Sequence, residues 1–197
     1  MRLEADRKVF KKEVKQKYRD YIIKISELRQ DFETKSIIKE IDTYEESFKN
    51  FSSLKYDIEK MIKDCKILND HEAILRMKTS DLTEIREIRG NFDPYYSLWE
   101  SVSNFLSGQK SWMEDNLKQI DRKKLKNTFE KCVSTIDNLE KTIFRKDKPA
   151  PNTVIHLLRE KIEDFQPILP VLYDLINPDF KANHINDLSK AIGIYIP

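Results

Sequence analysis

Apolar residues recur along this chain at alternating steps of four and three, the spacing that keeps side chains on one face of a helix packed lengthwise against another. Val14, Tyr18, Tyr21, Ile25, Leu28 and Phe32 follow it after a looser start at Leu3 and Phe10. A second run, Ile37, Ile41, Tyr44, Phe48, Phe51, Ile58, Ile62 and Cys65, is interrupted at Lys55. The third is Ile85, Ile88, Phe92, Tyr95, Trp99, Val102 and Leu106; the fourth is Leu125, Phe129, Cys132, Ile136, Leu139 and Ile143. A fifth runs Ile155, Leu158, Ile162, Phe165, Leu169 and Leu172. This rhythm predicts an all-α fold, an elongated array of long antiparallel helices forming two successive helical bundles. Residues 1–78 read as a long-helix hairpin and 79–197 as the following bundle.

Between the runs lie the signals that start and stop helices. Asp81, with Glu84 three residues on, predicts the cap of the third helix, and Asp121 that of the fourth. In "GNFDP" the spacing predicts a kink or brief break, with Asp93 as a cap and Pro94 in the first turn of the continuation. "RKDKPAPN", with Pro149 and Pro151, reads as a loop. Asn177-Pro178 predicts a short last helix that Gly193 closes. Pro167 and Pro170 fall inside the fifth run, where a proline costs roughly 3 kcal/mol, and they read with Pro94 as hinge or kink positions.

Composition narrows the chemistry. Charged residues are 36% of the chain and glycines number three, a mixture suited to solvated amphipathic helices. The net charge of +2 gives no general reason to expect nucleic acid or an anionic membrane; "RKVFKKEVKQKYR" near the start is the one basic exception. No apolar run approaches the ~18 residues needed to cross a bilayer, and no secretory leader is evident, so a soluble intracellular chain is expected. In that setting the sequon at Asn50 carries no meaning, and Cys65 and Cys132, on apolar stripes of different helices, are expected to be free thiols.

Catalytic, cofactor and metal sites are not expected. None of His71, His156 and His184 follows a Glu by three residues, as a di-iron bundle requires. Cysteines and histidines are scattered singly rather than grouped for zinc. Gly90, Gly108 and Gly193 stand alone, too few to build a phosphate-binding loop.

Two stretches say more. "YYSLWESVSNFLSGQKSWME" and "FQPILPVLYDLINPDFKANHINDLSKAIG" carry Leu98-Trp99, Trp112, Leu169-Pro170, Asp174-Leu175 and His184 in an order that resembles the start of the linker region of dynein heavy chains. Asn183 and Ile185 depart from that family's Arg-His-Trp. The resemblance covers about residues 80–197, and Asn177-Pro178 is more like the axonemal branch. It implies a non-catalytic mechanical segment joining the tail to the linker and ATPase ring in microtubule-based motility, with Met1 and Pro197 as the ends of a piece cut from a longer chain. The implied partners are the rest of the heavy chain, with intermediate and light chains as further candidates; no nucleic acid and no membrane are implied. The implied location is the cytoplasmic cytoskeleton, with the ciliary or flagellar axoneme as its specialised form. A spectrin-like or tethering rod, acting as a scaffold or adaptor, would carry the same heptads and is the alternative. On a continuous helix Trp99 and Trp112, thirteen residues apart, could both face one groove.

Overall fold

A computed structural model describes residues 2–142 and 149–177, and beyond these only residues 179, 184, 187, 190 and 191. Its helices are α1 (Arg2–Ser36), α2 (Tyr44–Ile74), α3 (Thr83–Glu114), α4 (Arg122–Thr142), α5 (Pro149–Phe165) and α6 (Ile168–Leu175), with single 3-10 turns at Ile41–Thr43 and Leu117–Gln119. There is no strand among the described residues. The fold is all-α, as the heptads predict.

α1 and α2 form an antiparallel hairpin: Arg7 donates to the Leu75 carbonyl at 3.1 Å and Phe10 meets His71, ring centroids 5.6 Å apart. α3 returns along α2, then continues past it to pack on α4 and α5. Its first half thus belongs to a three-helix bundle with α1 and α2, and its second half to a bundle with α4 and α5. The α5 helix also touches the Ile41–Thr43 turn. One continuous apolar core follows, from Val14 to Leu172. At ~1.5 Å per residue, the 35 residues of α1 and the 32 of α3 are each about 50 Å long.

Local sequence accounts for most boundaries. Asp121 caps α4 as expected, its Oδ1 accepting from the N–H groups of Lys123 (2.8 Å) and Lys124 (3.0 Å). The cap of α3 is Leu82 rather than the expected Asp81, which stands one residue earlier and accepts from the Thr83 N–H at 3.0 Å and its hydroxyl at 2.6 Å, bonds that hold its carboxyl below the usual range. Glu84, however, does not close a capping box; it pairs across to Arg29 of α1 at 2.8 Å.

Several expectations are corrected. Of the expected loop "RKDKPAPN", residues 145–148 lie outside the described residues, while Pro149 and Pro151 belong to α5 as its first and third residues, where a backbone N–H has no helical acceptor to lose. Pro167 and Pro170 do not lie in a helix interior either: α5 ends at Phe165, Pro167 is the cap of α6 and Pro170 its third residue. Conversely, α3 runs through Gly90 and Pro94 without a break, and Asp93 caps nothing; it lies mid-helix, 3.6 Å from Arg89. Ile37 is 68% exposed in the turn before α2 rather than on its seam. The positions of Ile143 and Gly193 lie outside the described residues.

The end of α2 holds a feature that the sequence hides. Arg76 N donates to Ala73 O (3.0 Å) and Met77 N to Glu72 O (2.8 Å), with Arg76 at φ 53°, a left-handed cap normally given to glycine. The loop is then fastened by Glu72, whose buried carboxylate accepts from the Ser80 N–H (2.6 Å) and hydroxyl (2.5 Å). Because the Arg76 side chain is exposed, Arg76→Gly should raise stability by about 0.5–1 kcal/mol as steric strain is relieved. Denaturant unfolding checks this; a loss of stability would mean that the guanidinium makes a contact worth more than the strain.

Candidate functional site

The residues singled out by the family pattern divide between core and surface. Leu98 (0% exposed), Trp99 (1%), Trp112 (8%) and Leu169 (7%) are buried. Pro170, Asp174 and His184 are exposed and Leu175 is half-buried. The structure does not gather them into one cleft.

What it builds instead is a pair of aromatic clusters strung along α3. In the first, Trp99 stacks on Phe51 of α2, ring centroids 5.9 Å apart, and Phe51 in turn stacks on Phe92 at 5.9 Å. Phe32 of α1 meets Phe92 and Tyr95 edge-on at 5.8 and 5.2 Å. In the second, Phe105 contacts Phe129 of α4 (6.2 Å) and Phe165 of α5 (6.1 Å), while Trp112 stacks on Phe165 at 5.6 Å. Trp99 and Trp112 therefore sit on one continuous helix yet face different partners. One ties α3 to the first bundle and the other ties it to the second.

Gly108 explains how Trp112 fits. A Cβ built on Gly108 would lie 2.8 Å from Trp112 Cζ2 and 3.0 Å from Cη2, so the indole lies flat against bare backbone one turn earlier. Phe105 and Phe165 pack against the ring and oppose its displacement. Alanine is the better helix former by about 1 kcal/mol, but overpacking of this kind costs about 1–3 kcal/mol. Gly108→Ala should therefore destabilise the protein, whereas Gly90→Ala, whose added Cβ meets nothing within 4 Å, should not. Equal melting temperatures for the two variants would contradict this packing.

Prolines stand at two places beside these clusters. Pro94 cannot donate to the carbonyl of Gly90 four residues earlier, and this stretch of α3 opens onto a groove lined by Arg29 and Phe32 of α1 and by Ile88, Pro94 and Tyr95. At the α5–α6 joint Pro167 is the helix cap (φ −65°, ψ −22°), and the chain turns between Phe165, which is fully buried, and buried Leu169 and Leu172. The Arg122 guanidinium lies over the Tyr173 ring, 5.3 Å from its centroid, tying α6 to the start of α4. Arg159 of α5 bridges Asp137 (3.0 Å) and Glu140 (2.7 Å) of α4.

No reactive cluster is assembled among the described residues. Among the described residues no group of three or more His, Cys, Asp and Glu side chains could hold a metal ion, and no helix is long and apolar enough to cross a membrane. Both cysteines are free and buried. Cys132 Sγ donates to the Ser101 carbonyl at 3.7 Å, and burial pushes its thiol from 9.0 up to about 12. Folding thus favours the neutral thiol, a contribution complete below pH 9 and lost as pH rises toward 12. The stability advantage of the parent over Cys132→Ala should shrink across that window. An advantage independent of pH would contradict it.

Sequence similarity supplies the context. The family described as "Dynein heavy chain, N-terminal region 2" matches residues 85–197. Dynein axonemal heavy chain 1 of Homo sapiens is 31% identical over 143 residues, covering 71% of this chain and 3% of the relative. Dynein axonemal heavy chain 3 of Mus musculus is 26% identical over 162 residues, covering 80% and 4%. Dynein axonemal heavy chain 6 of Homo sapiens is 25% identical over 143 residues, covering 73% and 3%. The chain thus spans a few hundredths of the length of these relatives. No solved structure matches it significantly.

Proposed function

Since this chain belongs to the dynein heavy chains, where it matches a non-catalytic N-terminal region, we propose that it carries force between the tail and the linker and ATPase ring of such a motor. The observation that carries this reading is α3, one unbroken helix whose Trp99 cluster grips α1 and α2 and whose Trp112 cluster grips α5. Load entering through the hairpin 1–78 would pass along a single helix into 79–197, without crossing a flexible linker. Leu98, Trp99, Trp112 and Leu169 act as the buried rivets of that path; Pro170, Asp174, Leu175 and His184 line its downstream side. Pro94 and the Pro167–Pro170 turn are the points at which the path can bend. The similarity to axonemal heavy chains favours an axonemal location, in cilia or flagella. The partners are the remainder of the heavy chain, with intermediate and light chains binding alongside. The family match removes the reason for preferring a free-standing spectrin-like rod.

The test inserts four Gly and Ser residues after Gly90, on an exposed face of α3, in a complete heavy chain carrying this segment. Microtubule gliding should fall several-fold while ATP turnover persists. Unchanged gliding would contradict force transmission through α3, and loss of ATP turnover would contradict the segment's non-catalytic role.

A further inference from the structure

α1 carries a basic row that nothing in the mechanical reading uses. Lys8, Lys15, Ile22 and Arg29 recur every seven residues, with Lys12 and Arg19 between them, so that all lie along one side of the helix. The last member shows what the row accepts: Arg29 binds the carboxylate of Glu84, in the first turn of α3, at 2.8 Å. But α3 starts only at Thr83, level with Arg29 in the last third of α1, and runs on toward the C-terminal end of α1, away from the row's other members. Lys8, Lys12, Lys15 and Arg19 are exposed and have no ion-pair partner among the described residues.

We propose that this row docks an acidic amphipathic helix of a separate polypeptide, which continues along α1 the place that α3 takes at Arg29. Charge complementarity specifies its chemistry, carboxylates at steps of three and four matching the ammonium groups. The opposite border of α1 mixes Glu13 and Asp20 with Lys17 and Lys24, so the unmixed basic stripe is one helix wide and fits a narrow acidic helix better than a broad anionic surface such as a bilayer or a nucleic-acid backbone. Ile22 (38% exposed) within the row and Ile23 (60%) beside it offer apolar contact to such a helix. An interface led by exposed charges with so little apolar area is salt-sensitive and reversible, which suits a separate chain rather than an intramolecular core.

The experiment measures fluorescence anisotropy of a labelled 21-residue helical peptide bearing Glu at positions 1, 5, 8, 12, 15 and 19, against a Gln counterpart, with the 197-residue chain. The Glu peptide should bind at least tenfold more tightly at low salt and lose that advantage at high salt. Reversing the row (Lys8→Glu, Lys12→Glu, Lys15→Glu, Arg19→Glu) should abolish binding of the Glu peptide and create binding of the matching Lys peptide, a gain that a misfolded variant could not show. Equal affinity for Glu and Gln peptides, no binding of either, or stronger binding to phosphatidylserine vesicles or to single-stranded RNA would overturn the proposal. This test is independent of the gliding assay, and either can fail alone.

Discussion

Replacing Trp99 with alanine is expected to lower the free energy of unfolding by about 3–5 kcal/mol, the usual range for emptying a fully buried aromatic site. The indole is 1% exposed and stacked on Phe51, and through Phe51 and Phe92 it reaches Phe32, so one side chain helps to hold three helices together. Stacked and edge-on pairs of this kind add about 0.5–1.5 kcal/mol each beyond their buried area. Collapse of the site is opposed from both sides, because Leu98 and Val102 are themselves fully buried. Thermal or denaturant unfolding measures the change. A loss under about 1 kcal/mol, far below the range for a core aromatic, would mean that Trp99 is not a core residue and would turn attention to it as a docking surface.

The second large effect is expected at the α5–α6 joint. Had Pro167 and Pro170 interrupted a helix, replacing both with alanine would relieve about 3 kcal/mol at each. They instead occupy the cap and the third position of α6, where no helical hydrogen bond is forgone. Alanine there gains nothing in the folded state and frees the unfolded chain, a loss of about 0.4–1 kcal/mol per site. It also supplies N–H groups that let α5 run straight on through Gln166. Straightening would swing Leu169 (7% exposed) and Leu172 (4%) away from the core, at about 2–5 kcal/mol for each large side chain withdrawn. The double variant should melt well below the parent, and below the sum of the single variants if straightening needs both substitutions. A melting temperature unchanged or raised would show that the turn is incidental.

The heptad rhythm made the fold class and five of the helices legible, since a buried stripe leaves a periodic trace whatever it packs against. Its failures have particular causes. The interruption at Lys55 was a matter of phase: the seam is filled by Leu54 and Met61, one position to the side, while the Lys55 ammonium lies 3.9 Å from the Tyr96 ring centroid. A helix face about 100° wide admits both readings until the neighbouring helix is known. Phe105 escaped the single seam of α3 because that helix is covered on several sides, by α2 and then by α4 and α5, and one stripe cannot describe it. The proline pairs were misjudged because periodicity cannot distinguish a helix interior from a helix start, and only the start tolerates a missing donor. Gly108 gave one signal, its spacing of four from Trp112, which acquires meaning only when the indole's orientation is known. The site residues were legible as a family pattern and not as geometry: Trp99 and Trp112 were foreseen on one helix, but their separate partners could not be.

The most direct test of the central claim is to pull the chain apart in an optical trap, with handles at Asp6 on α1 and Asp174 on α6. If α3 couples the two bundles into one load-bearing element, the segment should unfold in a single cooperative step, and Trp99→Ala should lower the force of that one step. Two separate steps, of which Trp99→Ala weakened only the first-bundle event, would contradict it, because the bundles would then carry load independently and α3 would be a tether rather than a strut.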